Sequence, residues 1–118
     1  MPKAAIIVLA DTETAGDLGR VVNALTTAKE FKEVNDDVAI VFDGAGTKWI
    51  PELAGTDHNY SELFGEVRDK VAGACAYCSK AYGVREGVEQ ASVELLDEYE
   101  RHPSLHGYAS DGYQVITF

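Results

Sequence analysis

The most informative stretch of the sequence is AAIIVLA, at residues 4–10, because every residue in it is apolar. A half-exposed strand alternates apolar and polar side chains, whereas a strand inside a parallel sheet is covered on both faces and shows no alternation. The sequence VAIVF, at residues 38–42, has the same character and is rich in β-branched residues. The two stretches therefore predict two buried strands of a parallel sheet.

The residues between these strands predict one long amphipathic helix. Thr14 and Asp17 stand at the spacing of a capping box, in which each side chain satisfies a backbone N–H of the other residue. The helix should end near Val34. Its apolar positions recur at helical intervals and are Leu18, Val21, Val22, Leu25 and Ala28.

Residues 44–60 show little periodicity and contain Pro51 and Gly55, so we expect a long irregular loop of the kind that often carries function. Asn59, with Glu62 three residues later, is expected to cap the next helix. The inner face of that helix should comprise Leu63, Phe64, Val67 and Val71.

The second half of the chain predicts three more strands. Residues 72–75 should form the third, followed by a short helix that Gly83 ends in a left-handed conformation, and by a helical turn at residues 85–90. Residues 93–96 fit a fourth strand, although periodicity also allows a helix that continues into residues 97–100.

The last elements complete an α/β architecture. A short helix should begin at His102–Ser104 and end at residues 110–112. In residues 113–118, apolar and polar side chains alternate as they do in an edge strand. Alternating strands and helices predict a three-layer α/β/α fold with a five-stranded, mostly parallel sheet. With 118 residues, the chain fits one domain, residues 1–118.

Composition limits the partners and the compartment. Asp and Glu number 20 against 10 Lys and Arg, and the formal charge of −10 disfavours nucleic acid and anionic membranes. Acidic Asp11 and Glu13 follow the first apolar run, where a secretory signal peptide has a small-residue cleavage site. Two cysteines three residues apart do not make a disulfide framework. We therefore expect a cytoplasmic protein whose thiols stay reduced.

Candidate functional residues follow several predicted strands, at the carboxyl edge of the sheet where ligands of open α/β folds bind. The adjacent carboxylates Asp97 and Glu98 belong to a run of acidic residues, which indicates a solvated surface, and we assign them no catalytic role. The full set comprises Asp11, Thr12, Asp43, Gly44, Gly46, Trp49, His58, Cys75, Cys78, Asp97 and Glu98.

The pair Cys75 and Cys78 is the strongest candidate for chemistry. A thiol at a helix N-terminus is stabilised as the nucleophilic thiolate by backbone donors and the helix dipole. Cys78 would lie one helical turn along, close enough to resolve a mixed disulfide with Cys75. The alternative is that Cys75 is a small buried hydrophobe at the end of a strand, and spacing does not decide between the two.

Three segments together resemble the DsrE/DsrF-like family across most of the chain. They are the apolar first strand, the sequence ACAYC at residues 74–78 leading to YGV at residues 82–84, and the ending GYQVITF at residues 112–118. The resemblance implies a small α/β protein that forms homo-oligomers or hetero-oligomers. It also implies a relay of sulfane sulfur, carried as a cysteine persulfide between donor and acceptor proteins. Cys75 matches the sulfur-carrying position. Cys78 departs from the single-cysteine pattern but is similar to family members that carry two cysteines here, which leaves open whether the protein carries sulfur or exchanges thiols by cycling a dithiol.

A second hypothesis is a non-catalytic module that binds a small ligand or nucleotide. Asp43, Gly44, Gly46, Trp49 and His58 would line the ligand. The glycines match neither a dinucleotide fingerprint nor a phosphate-binding P-loop. They fit better a turn in which Trp49 packs against the core or a neighbouring subunit.

A third hypothesis places zinc on Cys75, Cys78 and two of His58, His102 and His106. The cysteine spacing suits zinc, but structural zinc sites usually contain two such pairs. Pro103 lies between His102 and His106, so we expect both histidines on the solvated surface. The sequence therefore predicts no bound metal and no cofactor.

Overall fold

The computed structural model describes all residues, Met1–Phe118. The strands are β1 (Lys3–Val8), β2 (Asp37–Phe42), β3 (Val71–Cys75), β4 (Leu95–Leu96) and β5 (Gln114–Thr117). The helices are α1 (Ala15–Glu33), α2 (Trp49–Ala54), α3 (Ser61–Val67), α4 (Ala76–Ala81), α5 (Arg85–Gln90) and α6 (Leu105–Ser110). None of these helices combines the length with the apolar run that a bilayer crossing requires.

All five strands pair in parallel, in the order β4-β3-β2-β1-β5. The predicted α/β fold with a five-stranded sheet is therefore confirmed, as is the edge position of β5. The apolar strands β1 and β2 lie inside the sheet and pair in register over their whole length. Their lack of alternation is explained by burial on both faces.

One face of the sheet carries most of the core. Helices α1, α2, α3 and α5 pack their apolar residues against this face. The opposite face has a smaller core, which α6 covers with Leu105 and Tyr108. The larger core includes Ile6, Val8, Ile40 and Phe42 from the sheet, Val21 and Leu25 from α1, and Trp49, Phe64 and Val88.

Strand β3 contains a bulge opposite β2. Val71 pairs with Ile40 and Gly73 pairs with Val41, so Ala72 is an extra residue without a counterpart. A Cβ on Gly73 would lie 2.5 Å from the carbonyl oxygen of Glu94. The glycine therefore allows the strand to pass close to the chain that leads into β4.

The start of α1 confirms the predicted capping box. The Thr14 side chain accepts a hydrogen bond from the Asp17 N–H at 3.1 Å, and the Asp17 carboxylate accepts one from the Thr14 N–H at 3.2 Å. The helix ends at Glu33 with Val34 as its C-cap, in agreement with the predicted end near Val34.

Two predictions for the middle of the chain are wrong. Residues 44–60 are not an irregular loop, because a 3₁₀ turn at Gly44–Lys48 leads directly into α2. Asn59 does not cap α3; the Tyr60 N–H instead donates to the His58 ring at 3.1 Å, and α3 begins at Ser61. Helix α2 has only six residues, too few for a period to be recognised.

Two boundaries near β3 and β4 also become clear. Val71 is the first residue of β3 and not part of the inner face of α3, which ends at Val67. The alternative of a helix over residues 93–100 is wrong, because Leu95–Leu96 pairs with β3. Gly83 adopts the predicted left-handed conformation, with φ of 72°.

Candidate functional site

Four side chains meet at the carboxyl edge of the sheet. Asp43 follows β2, Cys75 ends β3, Cys78 lies in α4, and His102 follows β4. One oxygen, two sulfur and one ring nitrogen atoms of these residues all lie within 4.8 Å of one another. Parallel strands carry their following loops to the same edge, so residues that are far apart in sequence become neighbours.

Cys75 is the N-cap of α4, the position that the sequence predicts for it. Its Sγ accepts a hydrogen bond from the Cys78 N–H at 3.3 Å and lies 3.2 Å from Nδ1 of His102. The thiol is also oriented toward the carbonyl of Arg101, at 3.8 Å. The residue is 0% exposed. The thiol is therefore covered, but its immediate neighbours are polar.

Burial raises the pKa of the Cys75 thiol to about 12. The Cys78 N–H opposes this rise, whereas the Cys78 thiol and the Asp43 carboxylate add to it. Loss of water around a group disfavours its charged form, and a single backbone donor from a short helix does not compensate. The expectation of a thiolate at rest is therefore wrong for the chain by itself.

Cys78 is the outer thiol of the pair. It is half-buried, and its thiol donates to Oδ1 of Asp43 at 3.6 Å. The same Asp43 oxygen accepts a hydrogen bond from the Gly44 N–H at 2.8 Å, which fixes the carboxylate. Cys78 is thus the thiol that a molecule approaching from solvent meets first.

A tight turn from Tyr99 to His102 lies against the Cys75 thiol. The backbones of Tyr99 and His102 exchange two hydrogen bonds, of 2.9 and 2.7 Å. The two residues between them, Glu100 and Arg101, both have left-handed conformations with φ of 48° and 67°. The Tyr77 N–H donates to the carbonyl of Arg101 at 2.9 Å. This turn, which we call the 99–102 turn, holds His102 over the cysteine.

Comparison with known proteins identifies the family of the chain. The sequence pattern of the DsrE/DsrF-like family matches residues 3–118. The chain belongs to the DsrE/DsrF-like family.

One protein sequence and two solved structures are similar to this DsrE/DsrF-like chain. An uncharacterized protein of Methanocaldococcus jannaschii, MJ0733, is 28% identical over 95 residues, which cover 80% of this chain and 77% of that protein. The crystal structure of the YchN protein from E. coli superposes with a TM-score of 0.68 at 18% identity and full coverage of both chains. A conserved protein of unknown function from Bacteroides thetaiotaomicron, BT1422, gives 0.64 at 15% identity, covering 97% of this chain and 94% of its own.

Of the ligand-binding residues predicted in this DsrE/DsrF-like chain, only Asp43 lies in the four-residue cluster. The ring N–H of Trp49 donates to the carbonyls of Ala10 and Asp11, both at 3.0 Å, and the residue is buried. His58 packs edge-on against the Trp49 ring at 5.8 Å. Trp49 therefore packs in the core, which is the alternative to ligand binding that the sequence suggests.

The two glycines of the predicted ligand loop also have structural roles. Gly44 has a left-handed φ of 53°, which places it at the start of the 3₁₀ turn. Gly46 lies so close to β1 that an added Cβ would be 2.0 Å from the carbonyl oxygen of Val8. Their part in ligand binding stays a prediction.

His102 is the residue whose role sequence reasoning missed. We expected His102 and His106 on the solvated surface, and this holds for His106 alone, since His102 lies half-buried against Cys75. The position of His102 just after the fourth strand is a usable signal, because it obeys the same sheet-edge rule as Cys75. Asp97 and Glu98 are exposed, in agreement with the solvated role assigned to them.

Proposed function

We propose that this DsrE/DsrF-like protein is a cytoplasmic sulfur-relay protein that carries sulfane sulfur as a persulfide on Cys75. The observation that carries the proposal is the contact of 3.2 Å between Cys75 Sγ and His102 Nδ1 at the sheet edge. A nucleophile beside a base is the arrangement that covalent catalysis by a thiol needs.

His102 compensates for the raised pKa of Cys75. A thiol with a pKa of about 12 is almost fully protonated at neutral pH, so a nearby base is needed to accept the proton as the sulfur attacks. His102 is suited to this because its ring nitrogen lies within reach of the thiol proton and histidine is the side chain that most often acts as a general base. Tyr77 packs against the His102 ring at 4.9 Å and keeps it in place.

Sulfur uptake then proceeds in one displacement. The Cys75 thiol gives its proton to His102, and its sulfur attacks the terminal sulfur of a donor persulfide. A new sulfur–sulfur bond forms on Cys75, and the bond to the donor cysteine breaks. The donor leaves as a thiolate and takes the proton back from His102. Delivery is the reverse step, with the thiolate of an acceptor protein attacking the outer sulfur.

Cys78 allows a second reaction of the sulfur bound to Cys75. Its thiolate can attack the inner sulfur of the Cys75 persulfide, which forms a Cys75–Cys78 disulfide and releases hydrosulfide. The two sulfur atoms lie within 4.8 Å of each other, so this requires only a small side-chain movement. Cys78 is thus the resolving thiol of the pair.

A donor reaches Cys75 once the 99–102 turn moves aside. Lys80 and Arg101 line a shallow depression with Tyr77 and Ala81 next to that turn. The positive charges of Lys80 and Arg101 favour the binding of an anionic persulfide in this depression, although the chain as a whole is acidic. Docking of a donor protein here is the event that we expect to expose the thiol.

Mass spectrometry after incubation with a persulfide donor tests the proposal. The parent chain should gain the mass of one sulfur atom, located on Cys75 by peptide mapping. Cys75→Ser should gain none, whereas Cys78→Ser, the matched control, should keep its added sulfur for longer because the resolving thiol is absent. Equal uptake by the parent and Cys75→Ser contradicts the proposal.

A further inference from the structure

The four side chains at the sheet edge carry the donor atoms of a metal site. We propose that Asp43, Cys75, Cys78 and His102 bind one zinc ion through two thiolates, an imidazole and a carboxylate. All four donor atoms lie within 4.8 Å of one another. This proposal goes beyond sulfur transfer and departs from the expectation, based on the sequence, that the chain holds no metal.

The distances between the donor atoms are close to those of a tetrahedral zinc site. Zinc–sulfur bonds of about 2.3 Å and zinc–nitrogen or zinc–oxygen bonds of about 2.0–2.2 Å place neighbouring ligand atoms roughly 3.3 to 3.8 Å apart. Cys75 Sγ and His102 Nδ1 are 3.2 Å apart, and Cys78 Sγ and Asp43 Oδ1 are 3.6 Å apart. The widest pair, at no more than 4.8 Å, needs to contract by about 1.5 Å at most.

The chemical types of the four ligand atoms favour zinc. Two thiolates favour zinc over magnesium or calcium, which prefer oxygen ligands. Both thiols lose a proton on binding, so three anionic ligands surround the dication and the site has one net negative charge. Backbone N–H groups already support two ligands: that of Cys78 bonds the Cys75 sulfur, and that of Gly44 bonds the Asp43 carboxylate. Such outer hydrogen bonds hold metal ligands in orientation.

The structure also corrects the ligand set that the sequence suggests. His58 packs on Trp49, and His106 is exposed with Ser110 as its neighbour. Only His102 of the three histidines reaches the cysteines, and Asp43 takes the fourth position. A zinc ion here would link the ends of β2 and β3 to the segment after β4, and so would stabilise the folded chain.

Metal titration of the reduced, metal-free protein tests the site. Competition against a chromophoric zinc chelator should give one equivalent of zinc per chain, and cobalt(II) should give the thiolate-to-metal absorption of a four-coordinate site. Cys75→Ser, Cys78→Ser, His102→Gln and Asp43→Asn should each lower zinc affinity by at least about tenfold. His106→Gln is the matched control and should bind as the parent does. Circular dichroism without metal checks that each variant is folded.

Absence of stoichiometric binding by the parent overturns the proposal. Zinc affinity that depends on the cysteines but is unchanged in both His102→Gln and Asp43→Asn also overturns the proposal, since the two thiolates alone would then bind the metal. Asp43→Asn separates this proposal from the sulfur relay. It removes a zinc ligand but neither the thiol nor the base of the proposed relay, so zinc affinity should fall while sulfur uptake in the presence of a chelator is retained.

Discussion

At the scale of single residues, the environment of Cys75 determines what the site can do. Burial removes water from the thiol, and the neighbouring Asp43 carboxylate further disfavours a negative charge on it. The Cys78 N–H favours the ionised thiol, and in the proposed relay His102 accepts the thiol proton. The proposed reaction therefore depends on His102 as its base.

His102→Gln should slow sulfur uptake by about 10²-fold, because removal of a general base typically has this effect. The pKa of Cys75 is raised, so the thiolate is scarce at neutral pH and increases as the pH rises. The uptake rate of the variant should therefore increase about tenfold per pH unit from pH 7 to 10, more steeply than that of the parent. Initial rates of persulfide formation by quenched mass spectrometry measure both effects.

His106→Gln is the control for this prediction, because His106 is exposed and lies outside the four-residue cluster. A rate for His102→Gln equal to that of the control across the whole pH range would show that His102 does not accept the proton.

At the scale of elements, the 99–102 turn stores conformational strain above the thiol. A left-handed conformation costs a residue with a side chain about 1–2 kcal/mol relative to glycine, and Glu100 and Arg101 both adopt it. Two-residue turns of this kind ordinarily contain Asn and Gly. Strain of this type concentrates at functional segments, which agrees with the proposed movement of this turn when a donor binds.

Arg101→Gly should be more stable to urea than Arg101→Ala by about 1 kcal/mol. Both variants lose the same contact between the Arg101 guanidinium and the Tyr77 ring, at 5.0 Å. The difference between them therefore reports the backbone conformation alone. Equal midpoints for the two variants would contradict a strained turn.

Gly46→Ala should destabilise the fold by about 3 kcal/mol, because the added methyl group meets the backbone of β1 and cannot be accommodated by a side-chain movement. Gly19→Ala is the matched control. Nothing lies within 4 Å of that Cβ, and Gly19 is exposed in the interior of α1. It should stabilise the chain by about 0.5–1 kcal/mol. Urea unfolding followed by circular dichroism measures both changes.

These elements also explain which features the sequence could predict. The strands β1 and β2 are recognisable because burial on both faces makes them apolar throughout, and α1 is long enough to show its period and its caps. Cys75 was predictable as the N-cap because it is the last residue of a strand that leads into a helix. For His102, the place after the fourth strand was the one signal, because the turn that brings it to Cys75 has left-handed residues without the glycine that usually marks such a turn.

At the scale of the whole molecule, apolar side chains remain exposed around the site. Leu9 follows β1, and Tyr77 and Tyr82 belong to α4 and its end; between 44% and 47% of each is exposed. Leu9 also approaches Gly44, and Tyr82 lies beneath the Lys48 ammonium group. Exposed apolar groups that cluster at one edge of a fold mark a contact surface.

The protein should therefore form a homo-oligomer through this edge. Light scattering after size-exclusion chromatography should give a mass above that of one chain, and Tyr82→Glu should lower it. Val34→Glu is the control, since Val34 is 60% exposed at the end of α1, on the amino side of β2. A single-chain mass for the parent at all concentrations would contradict this prediction.

The bulge in β3 has a consequence for insertions and deletions. Ala72 has no counterpart in β2, so a chain that lacks it keeps Val71 opposite Ile40 and Gly73 opposite Val41. Cys75 then stays at the same strand end, whereas removal of a residue elsewhere in a strand reverses the faces of all those that follow. A deletion at position 72 can accordingly be absorbed without displacing the sulfur of Cys75.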